Sequence, residues 1–299
     1  MNSPARGHHG LGPHVVGTRV VVRRVVRGEH GPSGGPALTD LLGVCVSWGD
    51  GVCVLRPEQG ADVRIALADI VSGKPVPPRP SVRSRVEPAT AQRRAFALFP
   101  DLVTTPVGAW VLRDSASATA RRANSALAFG PSGVEDDVER LVAHYDRPVA
   151  AVLSGSPEHE RLRGLGWVPQ STEGDTLFQV AGTAQLSRAL RGRAPTAAVL
   201  DEEVPGSVVW ARIGKTASGY AAYADDWVGF AAITVDPSSR RQGQGVAVLA
   251  ALLEWGAELG ATTAYLQVQQ HNVAALELYG SLGFRTHHRY CYVTPGPSS

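Results

Sequence analysis

Val235-Asp236-Pro237-Ser238-Ser239-Arg240-Arg241-Gln242-Gly243-Gln244-Gly245 joins a strand to a helix. Before it, Val228 to Val235 has the β-branched and aromatic character of a buried strand. After it, Gly245 to Leu259 places Val246, Leu249, Ala250, Leu253 and Ala257 at helical spacing, and Gly260 supplies a stop. Two glycines separated by one residue let backbone N–H groups approach an oxyanion closely. The free N–H groups and positive dipole of the helix start favour a pyrophosphate there, and Arg240 and Arg241 add charge. A glycine pair alone is weak evidence, because an ordinary strand–helix turn also carries one.

The next elements sharpen the reading. Thr263 to Val268 is expected as a strand, Asn272 to Leu282 as a helix closed by Gly283, and Phe284 to Val293 as a final strand. Arg240, Gly243 and Gly245 match an Arg/Gln-x-x-Gly-x-Gly/Ala loop, and Asn272, Ala275 and Tyr279 match an Asn-x-x-Ala-x-x-x-Tyr helix followed by Leu282-Gly283-Phe284. In these residues the chain resembles the GNAT superfamily of acyl-CoA-dependent N-acetyltransferases. Two motifs in this order with one strand between them are specific. The clear match covers about the last hundred residues.

The resemblance implies acetyl-CoA as acetyl donor; no metal-ligand spacing appears in the sequence, so no metal is expected. The resemblance also implies that Arg240, Arg241, Gln242, Gly243, Gln244 and Gly245 bind the CoA pyrophosphate. Ile233 and Val235 would pair their backbone with the thioester carbonyl and pantetheine arm, an N–H near Ile233 stabilising the oxyanion. Asn272 would bond the pantetheine or nearby backbone, with Ala275 beside it. Tyr279 would protonate the departing thiolate; an amphipathic core tyrosine is the competing reading. The general base is the gap. Several family members carry a glutamate four residues before the position of Ile233, and here that residue is Gly229. Asp226, His271 and Asp225 are the nearby candidates, though Asp225-Asp226 also suits a solvated turn.

Working backwards, Ser207 to Ile213 and Gly219 to Ala224 read as strands, and residues 182 to 195 as a polar connection. Leu162-Arg163-Gly164-Leu165-Gly166-Trp167 parallels Tyr279-Gly280-Ser281-Leu282-Gly283-Phe284, which puts Leu162 where Tyr279 stands and Gly155 where Asn272 stands. The preceding helix opens on Glu135, Asp136 and Asp137, which would repel a pyrophosphate. This pattern fits a degenerate GNAT-like half; coincidence is the alternative. Residues 17 to 71 read as four or five short strands, with Gly49-Asp50-Gly51 as a turn, and suggest a small barrel. The whole layout resembles a two-domain histone-acetyltransferase-like subgroup with an N-terminal SH3-like barrel.

The expected fold is therefore α/β (α+β): a GNAT mixed sheet with helices, preceded by the degenerate half and the barrel. The expected segments are a disordered tail over 1–14, the barrel over 15–78, a Pro-rich linker over 79–87, the degenerate half over 88–181 and the catalytic domain over 196–299. Within the tail, His8, His9 and His14 offer at most adventitious metal binding.

Composition limits the function classes. The chain has 299 residues and a formal net charge of +2, too small to point to nucleic acid. Residues before 86 carry an excess of about five positive charges, which leaves a nucleic-acid role for the basic barrel open. Three cysteines, Cys45, Cys53 and Cys291, do not make a disulfide framework and suit a reducing cytosol. No signal peptide and no membrane-spanning run is evident, so a cytoplasmic protein is expected. The expected function is N-acetyl transfer by direct amine attack, onto a protein lysine or N-terminus. A small-molecule amine is the alternative acceptor, and a non-catalytic acyl-CoA-binding regulator the alternative function. Asp201, Glu202, Glu203, Asp225 and Asp226 would suit a cationic acceptor if they line the cleft.

Overall fold

A computed structural model describes residues 10–30, 34–57, 60–76, 82–194, 196–204 and 206–297. The chain divides into two compact units, Met1–Pro80 and Ser81–Ser299. In the first, β1 (Arg19–His30), β2 (Pro36–Gly49), β3 (Val52–Pro57), β4 (Val63–Ala66) and β5 (Ile70–Pro75) form one antiparallel sheet in the order β4-β3-β2-β1-β5. Strict alternation buries Val20, Val22, Cys45, Cys53, Leu55 and Ile65 together. Cys45 and Cys53 are core residues and free thiols.

Most of the expected N-terminal tail, residues 1–9 with His8 and His9, lies outside the described residues, as do 77–81 of the Pro-rich stretch. Residues 10–14 depart from a disordered tail. Leu11 is buried in the core of this unit, and Pro13–Val15 form a 3-10 turn that includes His14.

The second unit is one 12-stranded sheet with helices against it. Its first part contains α1 (Pro88–Arg94), β6 (Val103–Val107), β7 (Trp110–Asp114), β8 (Ser125–Leu127), α2 (Asp137–His144), β9 (Ala150–Leu153), α3 (Pro157–Gly164) and β10 (Trp167–Pro169). There follow β11 (Thr176–Gly182), α4 (Thr183–Leu190), β12 (Val199–Val204), β13 (Val208–Ile213) and β14 (Ala217–Ala224). The last part is β15 (Trp227–Val235), α5 (Gln244–Glu258), β16 (Thr263–Gln269), α6 (Val273–Leu282) and β17 (Arg285–Pro295). The sheet runs β12-β13-β14-β15-β16-β11-β17-β9-β8-β7-β6, with β10 paired to β17.

Two segments of this sheet repeat one pattern. In each, a parallel strand pair is joined by a helix: β8 and β9 across α2, β15 and β16 across α5. A second helix follows and ends at a left-handed glycine, Gly166 after α3 and Gly283 after α6. The segments also exchange strands. β11, from the earlier one, inserts between β16 and β17. The end of β17 inserts between β9 and β10. Residues 88–181 and 196–299 thus share one sheet. Leu162 is fully buried among Leu141, Val152 and Trp167.

The polar connection expected over 182–195 is in fact largely α4. Thr183, Leu186 and Leu190 stand on one face and are buried, Leu186 and Leu190 in the main core. Its short length and two leucines hid the period in the sequence. Packing on both α4 and the sheet explains why α5 buries Ala247, Val248, Leu252, Trp255 and Gly256 in addition to Leu249 and Leu253. No helix among the described residues is long and apolar enough to cross a membrane.

Candidate active site

The cleft begins where β15 and β16 part. They pair in parallel only from Trp227 with Thr263 to Phe230 with Leu266. Beyond Phe230, β15 continues to Val235 against β14 alone, and the register between them shifts near Ser218 and Tyr220. The cause is local: Ala232 has φ 50°, the left-handed region, and the bulge turns the strand away from β16. The edge of β15 that held β16 is therefore free from Ala231 onward. A cavity of about 310 Å³ lies there, lined by Phe230, Ile233, Leu266, Gln267, Asn272, Ala275, Tyr279 and Arg122 among others.

Past Val235 the chain turns into α5. The Asp236 carboxylate accepts bonds from the Ser238 N–H at 2.9 Å and the Ser238 hydroxyl at 2.6 Å, fixing the Pro237–Ser239 turn. Arg240 donates to the Val235 carbonyl at 3.3 Å, Gln242 to the Ser238 carbonyl at 3.4 Å, and Thr216 to Gln244 at 2.9 Å. Arg241 and Gly243 both sit in left-handed conformations, φ 61° and 79°, and Gly243 is the N-cap of α5. The first backbone bond of the helix here runs from Ala247 N–H to Gly243 carbonyl. The preceding N–H groups are the unsatisfied set of a helix start. Gly245 lets α5 approach β15: a Cβ there would stand 3.4 Å from Val235.

On α6, Asn272 is the N-cap, and its side chain accepts from the Ala275 N–H at 3.2 Å. One turn further on, Tyr279 packs edge-on against Phe284, ring centroids 5.7 Å apart, and lines the cavity. Burial raises its phenol above the ordinary value, so it keeps its proton.

The structure brings Ile233, Asn272, Ala275 and Tyr279 together on the cavity wall, with Val235 and Arg240 to Gly245 continuing along the strand and loop. The two other catalytic candidates are placed elsewhere. Asp226 precedes the first residue of β15, and Ile233 lies seven residues further on, roughly 20 Å along an extended strand. Its carboxylate accepts from the Thr262 hydroxyl at 2.5 Å and pairs with Arg94 at 3.1 Å, and both hold it below the usual carboxylate range. This is a structural tie, not a base at the cleft. His271 is exposed in the turn before Asn272, its Nδ1 3.0 Å from the Glu173 carbonyl, and does not line the cavity.

Gly229 has a physical reason to be glycine. A Cβ there would fall 2.1 to 2.6 Å from the ring and hydroxyl of Tyr265. Tyr265 is buried, stacked on Phe178, and donates to the Arg94 carbonyl at 3.2 Å. The tyrosine occupies the volume a glutamate side chain at 229 would need. No carboxylate lines the cavity among the described residues.

Arg122 lies in the Arg121–Asn124 turn, and the sequence Arg121 to Ser125 allows two readings, a segment facing the acceptor or an ordinary polar turn, with the turn favoured. Arg122 comes from the earlier segment and reaches the cavity between β15 and β16. Its only sequence signal was an Arg-Arg pair.

Comparison with known proteins follows the same lines. Residues 180–293 match the family model described as "Probable histone acetyltransferase Rv0428c C-terminal". The chain is 29% identical over 303 residues to the protein called probable histone acetyltransferase Rv0428c of Mycobacterium tuberculosis, covering 95% of this chain and 96% of that one. It is 46% identical over 52 residues to the [ribosomal protein bS18]-alanine N-acetyltransferase of Escherichia coli, covering 17% of this chain and 35% of that one. Among solved structures, a GCN5-related N-acetyltransferase from Kribbella flavida superposes with a TM-score of 0.50 at 18% identity, covering 73% of this chain and 96% of that one.

Proposed function

The chain belongs to the GNAT N-acetyltransferases, and from that premise we propose that it acetylates a primary amine by direct attack on acetyl-CoA in the β15–β16 cleft. The observation that carries this reading is the pairing of a proton-holding Tyr279 with the free edge of β15 in one cavity. The loop from Arg240 to Gly245 would take the pyrophosphate, where a left-handed Gly243 and the α5 start offer N–H groups and positive dipole. The β15 edge at Ile233 and Val235 would bond the pantetheine amides and the thioester carbonyl.

In the reaction the neutral amine nitrogen attacks the thioester carbonyl carbon. The C–N bond forms, and the oxyanion rests on a backbone N–H near Ile233. The intermediate collapses, the C–S bond breaks, and the thiolate takes the Tyr279 proton. The amine's own proton passes to water, since the cavity wall holds no carboxylate to receive it.

The same missing carboxylate supports a second reading, a protein that binds acyl-CoA without transferring it. Two measurements separate them. Calorimetry should show acetyl-CoA binding that Gly243→Val weakens at least tenfold. The valine blocks backbone approach and costs about 1–2 kcal/mol at a left-handed φ, so a thermal melt must confirm the fold. Release of free CoA thiol should then depend on an added amine. Unchanged affinity in Gly243→Val would remove the binding assignment, and thiol release indifferent to amines would leave only the second reading.

A further inference from the structure

We infer that the earlier segment supplies the acceptor subsite, in which Arg122 binds a carboxylate carried by the amine that is acetylated. This rests on the transferase reading above and names its substrate class: a small amine with a carboxylate close to the reacting nitrogen, as in an amino acid.

Arg122 lines the same cavity as Ile233 and Tyr279, so a group bound by its guanidinium lies within one small ligand of the reacting atoms. The cavity of about 310 Å³ is already at the lower end of ligand cavities, roughly 300–1,000 Å³, and it also takes the thioester end of the donor, so the room left beside Arg122 suits a small acceptor. The charge in the cavity is unanswered. No ion pair among the described residues takes Arg122 or its neighbour Arg113, which is 2% exposed, donates to the Ser125 carbonyl and hydroxyl at 2.9 and 2.7 Å and lies 5.7 Å over the Phe96 ring. The titratable groups around Arg122 are the phenols of Tyr290, Tyr292 and Tyr220, together with the Arg113 cation. Two partly or fully desolvated cations without an anion are costly, and a bound carboxylate would relieve that cost.

Adjacent arginines are not in this position. Arg121 pairs with Glu173, bonds Gln170 and Ser171 at 3.1 Å and covers the Tyr292 ring at 4.8 Å. The turn that carries Arg122 is stiff. Asn124 donates to the Ala118 carbonyl at 2.6 Å and accepts from the Ser115 N–H at 3.1 Å, and Ser125 donates to the Arg121 carbonyl at 2.6 Å. A planar guanidinium on a fixed turn suits bidentate recognition of a carboxylate.

The signs also disfavour a cationic acceptor. Asp201 is tied to Arg212, Glu202 to the Trp255 indole, Glu203 to the Trp210 indole and Asp226 to Arg94. Neither these residues nor Asp225 lines the cavity. A lysine side chain of a basic tail would meet an arginine there and no acid.

The test uses full-length protein, acetyl-CoA, and matched probes: the common amino acids and their carboxamides. The amino acid of at least one pair should be acetylated with kcat/KM at least about tenfold above its amide. Arg122→Gln should bring that ratio to about one while leaving the acetyl-CoA Kd within about twofold, and Arg122→Lys should retain part of the preference. Equal rates within every pair, a ratio that Arg122→Gln leaves intact, or acetylation of carboxamides alone would overturn the subsite while leaving the transferase reading in place. A tenfold loss of acetyl-CoA affinity in both variants, with an unchanged melt, would assign Arg122 to the donor instead and overturn it equally. Acetyl-CoA binding with no probe of either series acetylated would remove the amino-acid class. No binding of acetyl-CoA by the parent protein would remove the transferase reading and the subsite with it.

Discussion

Gly229 shows how one residue separates two explanations. In the sequence it stands as a missing carboxylate. In the fold it is the clearance that Tyr265 needs, because a Cβ would meet the ring at 2.1 Å. Gly229→Ala should therefore destabilise the protein by about 1–3 kcal/mol, as overpacking of a filled core does. Denaturant unfolding against the parent checks this; an unchanged midpoint would mean that Tyr265 yields easily. Without a carboxylate in the cavity, the pH dependence of kcat/KM should follow the acceptor. For a peptide α-amine the rate should rise until about pH 8, where the amine loses its proton, and for a free amino acid the rise should lie higher, because the adjacent carboxylate holds the ammonium proton. Burial raises the Tyr279 phenol, so it should remain protonated and the rate should fall only above about pH 10. A rise with an acidic midpoint near pH 4 to 5 would reveal a carboxylate base. The loop and α6 residues were legible in the sequence because each works inside a short local motif. Arg122 was legible only as part of a segment that either faces the acceptor or forms a polar turn, since the choice depends on a fold that brings residues 122 and 233 to one cavity. Tyr265, whose bulk explains a gap four positions from the reactive strand edge, was not legible.

At the scale of elements, periodicity revealed α5, α6, β15 and β16, whose apolar faces are long enough to show. It missed α4, and it gave no hint of strand exchange, because which strand a sequence pairs with is a non-local choice. β11 illustrates the consequence. All seven of its residues, Thr176 to Gly182, pair with β16, and Thr176 to Val180 are also matched by β17. A fragment of residues 196–299 lacks that strand and would leave facing edges of β16 and β17 without partners. It should be unfolded or aggregated, whereas residues 81–299 should give a cooperative melt. Circular dichroism of the two fragments makes the comparison; a well-folded 196–299 would show that the exchanged strand is dispensable. The exchange also explains why the earlier segment persists without a pyrophosphate loop of its own. At the corresponding place Ser132 and Arg161 both bind Asp137, at 2.5 and 2.7 Å, and Arg161 also bonds Glu158. That side-chain network fills the helix start that a phosphate would use.

At the scale of the whole molecule, the N-terminal sheet has its own core and every residue of the cleft lies within Ser81–Ser299. Removing residues 1–80 should leave acetyl-CoA affinity within about twofold, as expected for sites without shared partners. Calorimetry on residues 81–299 checks it. The measurement that bears most directly on the account is the rate of CoA thiol release from acetyl-CoA, with and without an amine acceptor, in the parent protein and in Tyr279→Phe. The phenylalanine keeps the ring against Phe284 but removes the proton. The account predicts thiol release that requires the amine, is matched mole for mole by the N-acetyl product, and slows by about 10²–10⁴-fold in Tyr279→Phe at unchanged acetyl-CoA affinity. Thiol release at the same rate with and without amines, or transfer by Tyr279→Phe at the parental rate, would contradict it.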